Sequence, residues 1–211
     1  MGTKDDLLRV AKEEFLTKGY HDASLRQIAA KCGSTTGAIY GYFKDKDALF
    51  REIVEEDLQQ LRTITNASTA KYMEIDNLRE AFENFSNYSS FGKALIDEQM
   101  QFYKFFYEHK DVFTLLLFKA QGSSFENFLK DFIHEDAENT IRIYQKMKNM
   151  DEIDIYARRI LELMVENSTM AAATIFKEND TFEDAKPYLE AMTIYYLGSF
   201  IAFIKFNKEE L

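Results

Sequence analysis

Residues 24–46, SLRQIAAKCGSTTGAIYGYFKDK, collect most of the side chains in this chain that suit recognition chemistry. The hydroxyls of Ser24, Thr35, Thr36, Tyr40 and Tyr42 can hydrogen-bond phosphates or base edges, and the Ala38 methyl can meet a thymine methyl. Arg26, Lys44 and Lys46 bring cations. Lys46 at a helix start adds its charge to exposed backbone N–H groups, which makes a phosphate clamp. Chemistry of the bond-breaking kind has no comparable cluster. No G-x-S-x-G, P-loop or G-x-G-x-x-G occurs. The three histidines, His21, His109 and His134, offer few metal ligands, and Asp131-x-x-His134 occurs once where a di-iron bundle needs two Glu-x-x-His pairs. No catalytic residue, metal or cofactor is expected.

The elements that must hold these residues are helical. Leu7, Leu8, Ala11, Phe15 and Leu16 recur at helical spacing, with charged residues between them and Gly19 as the natural stop. Ser24 and Gln27 form an S-x-x-Q capping box, and Leu25, Ile28, Ala29 and Cys32 make the apolar stripe of a helix ended by Gly33. Ser24 is thus either a cap alone or a cap that also meets phosphate. Thr35 caps a second short helix, Thr36 to Tyr42, whose Ile39 and Phe43 close over the first two helices. Asp45 then caps a longer amphipathic helix from Lys46. Two short helices joined by a glycine-containing turn form a helix-turn-helix, whose second helix presents its first residues to a major groove.

This segment resembles the DNA-binding head of the TetR family of transcriptional repressors. The likeness runs through F15-x-x-x-G19-Y20, S24-L25-R26-Q27-I28-A29, G33, T35-T36-G37-A38-I39-Y40-G41-Y42-F43 and K46-D47-A48-L49-F50, about a quarter of the chain. It implies a three-helix head, a helical ligand-binding body and a homodimer formed by the last two helices. It also puts the DNA contacts on Ser24, Arg26, Thr35, Thr36, Ala38, Tyr40, Tyr42, Lys44 and Lys46. Two residues depart from the family pattern: Ser34 replaces an apolar turn residue, and Gly41 replaces a histidine that contacts phosphate.

Composition agrees with an all-α protein. There are 211 residues with 31 Phe and Tyr, one Pro, eight Gly and no Trp. Net charge is −10, yet residues 1–50 carry eight Lys/Arg against seven Asp/Glu, while the remainder carries 18 against 29. The bar that acidity sets to nucleic-acid binding therefore applies only to the larger part. Cys32, the single cysteine, suits a reducing compartment. The N-terminus lacks a signal-type apolar core, and the longest uncharged run, Ala191 to Ile204, is too short to span a membrane. A cytoplasmic protein is expected, with residues 1–46 as the DNA-binding head and residues 47–211 as the body.

The body reads as helices from Asn77 to His109 with a break near Ser89 to Gly92, then Asp111 to Ala120, Ser124 to Lys148, Asp154 to Lys177, and Asp184 to Phe206. Pro187 fits the last of these if Asp184 is its cap. Phe102 and Phe106 stand among many aromatics that are either ordinary core or the walls of a cavity for an apolar or planar small molecule. A carboxylate on such a face would draw a cationic ligand; Glu98, Glu162 and Glu166 are the candidates, against solvated or paired roles. Ser168, Ala171 to Thr174, Gly198, Ser199 and Ala202 permit close helix approach at a dimer seam, or within one chain. The expected partners are double-stranded operator DNA, a small-molecule effector and a second copy of the chain. The alternative is a ligand carrier or sensor whose head docks protein, and only a DNA reader would lose DNA affinity linearly with log salt.

Overall fold

The structure, a computed structural model, describes residues 4–84 and 89–205. Among them are ten α-helices and no strand. They are α1 (Lys4–Asp22), α2 (Leu25–Lys31), α3 (Thr36–Tyr42), α4 (Lys46–Glu74), α5 (Leu78–Glu83), α6 (Ser90–Glu108), α7 (Lys110–Thr114), α8 (Phe128–Lys148), α9 (Ile155–Glu178) and α10 (Phe182–Lys205). A π-helical turn, Leu115–Lys119, continues α7. No described helix is long and apolar enough to cross a membrane.

The helices fall into two compact units, Met1–Thr63 with His109–Lys130, and Ile64–Glu108 with Asp131–Leu211. In the first, Leu7, Phe15, Ile28, Ile39, Leu49 and Phe50 have no accessible surface. Phe15, Tyr20 and Phe50 pack ring to ring at 5.2 to 5.8 Å, and Phe125 joins Phe50 at 6.0 Å. Gly19 breaks the helical path of α1 at φ 78°, ψ 163°, where a side chain would be strained. Its position beside the Lys119 carbonyl lets α1 pack against the π-helical turn. Ser124 then ties residues 109–130 to α4: its N–H donates to Asp47 (2.7 Å) and its hydroxyl accepts from Arg51 (2.9 Å).

The second unit has two apolar clusters. One gathers Leu78, Phe82, Leu95, Ile141, Tyr144, Leu161 and Ile204. The other joins Ile96 and Met100 of α6 to Ala185 and Leu189 of α10. The cap of α10 differs from the sequence expectation. Thr181 Oγ1 accepts from the Asp184 N–H (3.2 Å) while donating to the Asp184 carboxylate (2.6 Å), so Thr181 is the cap and Asp184 closes the box from inside. Pro187 consequently lies in the second turn, where its missing N–H removes a helical bond. Phe206, the expected end of this helix, lies outside the described residues, as do residues 85–88 of the expected Asn77 to His109 segment.

One buried charge fixes the head. Glu14 on α1 has no accessible side-chain surface; Lys18 stands 2.7 Å from Oε1, and Lys31 on α2 donates to Oε2 at 2.6 Å. Lys18 makes a charge contact, while Oε1 has no hydrogen bond of regular geometry. Lys18 and Lys31 hold the carboxyl below the ordinary range, against the upward push of burial. Because the folded-state pKa is depressed, this contribution is present above the unfolded value near 4.5 and is lost as pH falls through the folded value. Glu14→Gln is expected to cost about 1–2 kcal/mol in urea unfolding at pH 7, discounted for the exposed lysines, with the gap to wild type closing on acidification.

Candidate nucleic-acid interface

Three devices hold α3. Thr35 Oγ1 accepts from the Ala38 N–H (3.3 Å) and so caps the helix. Ile39 and Phe43 enter the core, at 0% and 5% exposure. Asp45 Oδ1 accepts from the Ala48 N–H (2.8 Å) and starts α4 directly afterwards. With that face committed inward, the opposite face carries Tyr40 at 59% and Tyr42 at 54% exposure, exposed Thr35, and half-buried Thr36 and Ala38. Gly41 faces open space, so nothing in the fold requires glycine there, and it loosens the helix by about 1 kcal/mol relative to Ala.

Arg26 and Lys44 are exposed and have no ion-pair partner among the described residues. Ser24 occupies the N-cap position of α2, but the expected box does not form. Its hydroxyl caps nothing, and the Gln27 amide oxygen accepts from Lys18 of α1 instead. Lys46 is more enclosed than its expected role suggests. Its ammonium donates to the carbonyls of Tyr20 (2.7 Å), Ala23 (3.1 Å) and His21 (3.2 Å), and lies 4.3 Å from the centre of the Tyr20 ring. Burial lowers its pKa, against the pull of Asp22. It is a strut between the end of α1 and the start of α4 that also places a positive charge there.

Residues 7–53 match the family described as "Bacterial regulatory proteins, tetR family". That segment of the chain is similar to the DNA-binding part of the family. It is 36% identical over 61 residues to the uncharacterized HTH-type transcriptional regulator YdgC of Bacillus subtilis (strain 168), covering 29% of this chain and 31% of that one. The chain spans between 25% and 62% of the length of such curated relatives. The TetR fold extends further. A TetR-like transcriptional regulator from Rhodococcus sp. RHA1 superposes with a TM-score of 0.60 at 18% identity, over 92% of this chain and 94% of that one. The transcriptional regulator FadR from Bacillus subtilis, solved in complex with stearoyl-CoA, does so with 0.53 at 14%, over 95% and 99%. At these identities the likeness is one of fold. TetR-family proteins are regulators and not enzymes, and no group of three or more potential metal ligands occurs among the described residues.

In the second unit, Phe102 and Phe106 of α6 lie 5.1 Å apart, each 6.4 Å from Phe132 of α8, and Phe106 reaches Phe176 of α9 at 6.4 Å. The three glutamates are paired or exposed. Glu98 accepts from Ser68 (2.7 Å), Lys71 (2.5 Å) and Tyr72 (3.1 Å); burial raises its pKa, but these hydrogen bonds prevail and lower it. It ties α4 to α6. Glu162 pairs with Arg158 and Arg159 at 3.6 and 3.2 Å, and Glu166 is exposed. The carboxylate on the apolar stripe of α8 is Asp136, one turn after Phe132 and Ile133, a position that helical counting from Phe132 picks out. For the strut, Lys46→Met is expected to lower the thermal midpoint of the DNA-free protein by several degrees, as measured by circular dichroism, because three carbonyls lose their donor.

Proposed function

We propose that this protein is a transcriptional repressor that works in the cytoplasm as a homodimer on a pseudo-palindromic operator and is released by a small apolar or aromatic molecule in its helical body. The observation that carries the reading is the division of α3 into a buried Ile39 and Phe43 face and an exposed Tyr40 face, inside the segment that matches the TetR family. Residues 1–46 read DNA and residues 47–211 carry ligand and dimer functions. Thr35, Thr36, Ala38 and Tyr40 enter the major groove with Tyr42 at their edge, while Ser24, Arg26 and Lys44 meet phosphates and Lys46, its donors held by three carbonyls, adds its positive charge beside them. Arg26 and Lys44 are suited to this because, among the described residues, no carboxylate pairs with them.

The dimer reading is supported by apolar side chains left in water. Ile155, Tyr156, Ile160 and Met170 on α9 and Tyr188 and Tyr195 on α10 are 42% to 74% exposed. Tyr156 and Met170, and likewise Tyr188 and Tyr195, stand at multiples of seven residues, so each set lines one helix face. In this reading the dimer reads two half-sites about 34–36 Å apart, one turn of B-form DNA. Phe102 and Phe106 line the effector site in this reading. The FadR neighbour, solved in complex with stearoyl-CoA, supports a ligand-binding role for a protein of this fold. An effector that prefers a conformation with the wrong α3 separation moves the population off DNA.

Duplexes selected from a random pool test the reader. Tyr40→Ala or Thr36→Ala should each weaken the selected duplex by about 1–3 kcal/mol with helicity intact; unchanged binding by both variants removes α3 as the reading helix. Sedimentation velocity tests the seam. Tyr195→Glu should turn dimer into monomer at micromolar concentration, and an unaltered dimer places the interface elsewhere.

A further inference from the structure

We propose that Lys4 is a positioning residue for DNA reading: by pairing with Glu52 it cancels negative charge in the groove where α3 gives way to α4, so that a phosphate strand can run along Tyr42 and Lys44. This rests on the DNA-reading role of α3 above and says how the acidic start of α4 is made compatible with it. The groove has a volume of about 470 Å³, and Tyr42 and Lys44 line it together with four carboxylates, Asp45, Asp47, Glu52 and Glu55. Carboxylates left unanswered beside two residues that meet DNA would repel the phosphates that those residues are placed to bind.

Three of the four have partners close by in sequence or in the fold of the head. Asp45 accepts from the Ala48 N–H (2.8 Å), and Asp47 accepts from the Ser124 N–H (2.7 Å) with Arg51 at 3.8 Å. Glu55 accepts from the Gln59 amide (3.2 Å) one turn further along α4. Glu52 is answered from a distance, by Lys4 in the first turn of α1. The side chains of this pair are 43% and 46% exposed, and an ion pair so open to water adds little to stability. Its effect is therefore on the field around the groove rather than on the fold. The ammonium of Lys4 also lies 5.7 Å from the centre of the Phe43 ring, and that ring is 6.3 Å from the ring of Tyr42. Lys4 thus stands at the end of α3, one ring away from the edge of the reading face.

The test measures binding of the full-length protein to the selected duplex and to an unrelated duplex of equal length, at 50 and 300 mM salt. Glu52→Gln should tighten both by about three- to tenfold at 50 mM, with the gain shrinking at 300 mM. Lys4→Met, whose thioether still packs on Phe43, should weaken both by a similar factor, while Lys4→Arg should bind as wild type does. The double variant Lys4→Met/Glu52→Gln should return to within about twofold of wild type, and all four should melt within a few degrees of it. Glu13→Gln, which removes a carboxylate paired with Arg9 (3.0 Å) and outside the groove lining, should change affinity less than about twofold. The inference is overturned if Glu52→Gln does not tighten binding, or if Glu13→Gln tightens it equally, which would make net charge the cause. A double variant as weak as Lys4→Met also overturns it: Lys4 then touches phosphate itself or, if the melting midpoint falls too, only supports the fold. Should Tyr40→Ala and Thr36→Ala weaken the selected duplex while Glu52→Gln changes nothing, the charge cancellation fails and the reading helix stands.

Discussion

A helix of seven residues does not persist in water alone, because fixing its first turn costs more than the few hydrogen bonds it gains. α3 exists through what holds it: the Thr35 cap, the burial of Ile39 and Phe43, and the immediate restart at Asp45. The same constraint sorts its residues by role. Side chains needed to hold the helix point inward, and those left over, Thr36 and Tyr40 chief among them, are free to meet a partner. Glu14 and Lys46 extend this logic by locking α2 and the start of α4 to α1, so the frame around α3 is set by charge as well as by packing.

What could be read from sequence divides along distance in the chain. Caps at Thr35 and Asp45, the Gly19 break and the apolar stripes are decided within one or two turns, and they occur where the pattern puts them. The Ser24–Gln27 box fails because Lys18, nine residues before Gln27 and on another helix, competes for the same side chain. At α10 the stretch Thr181–Asp184 holds two capping residues three apart, and either could have been the outer one; the structure gives that role to Thr181.

The body was less legible for the same reason. Glu98 stands close in sequence to the aromatics of α6, but its partners Ser68, Lys71 and Tyr72 come from α4, which no local pattern announces. An exposed face is equally hard to foresee: the hydrophobicity of α10 is plain in sequence, but which of its tyrosines remain in water depends on where α6 and α9 pack.

The anchoring of residues 109–130 on α4 bears on how this protein can be divided. A fragment that stopped at Thr63 would strip Phe125 from Phe50 and Ser124 from Arg51, and would uncover the groove of α1 where Lys119 lies. The amino-terminal piece is therefore not a self-sufficient module in the manner of a bead on a string. Its apolar interior is finished by chain synthesised more than forty residues later.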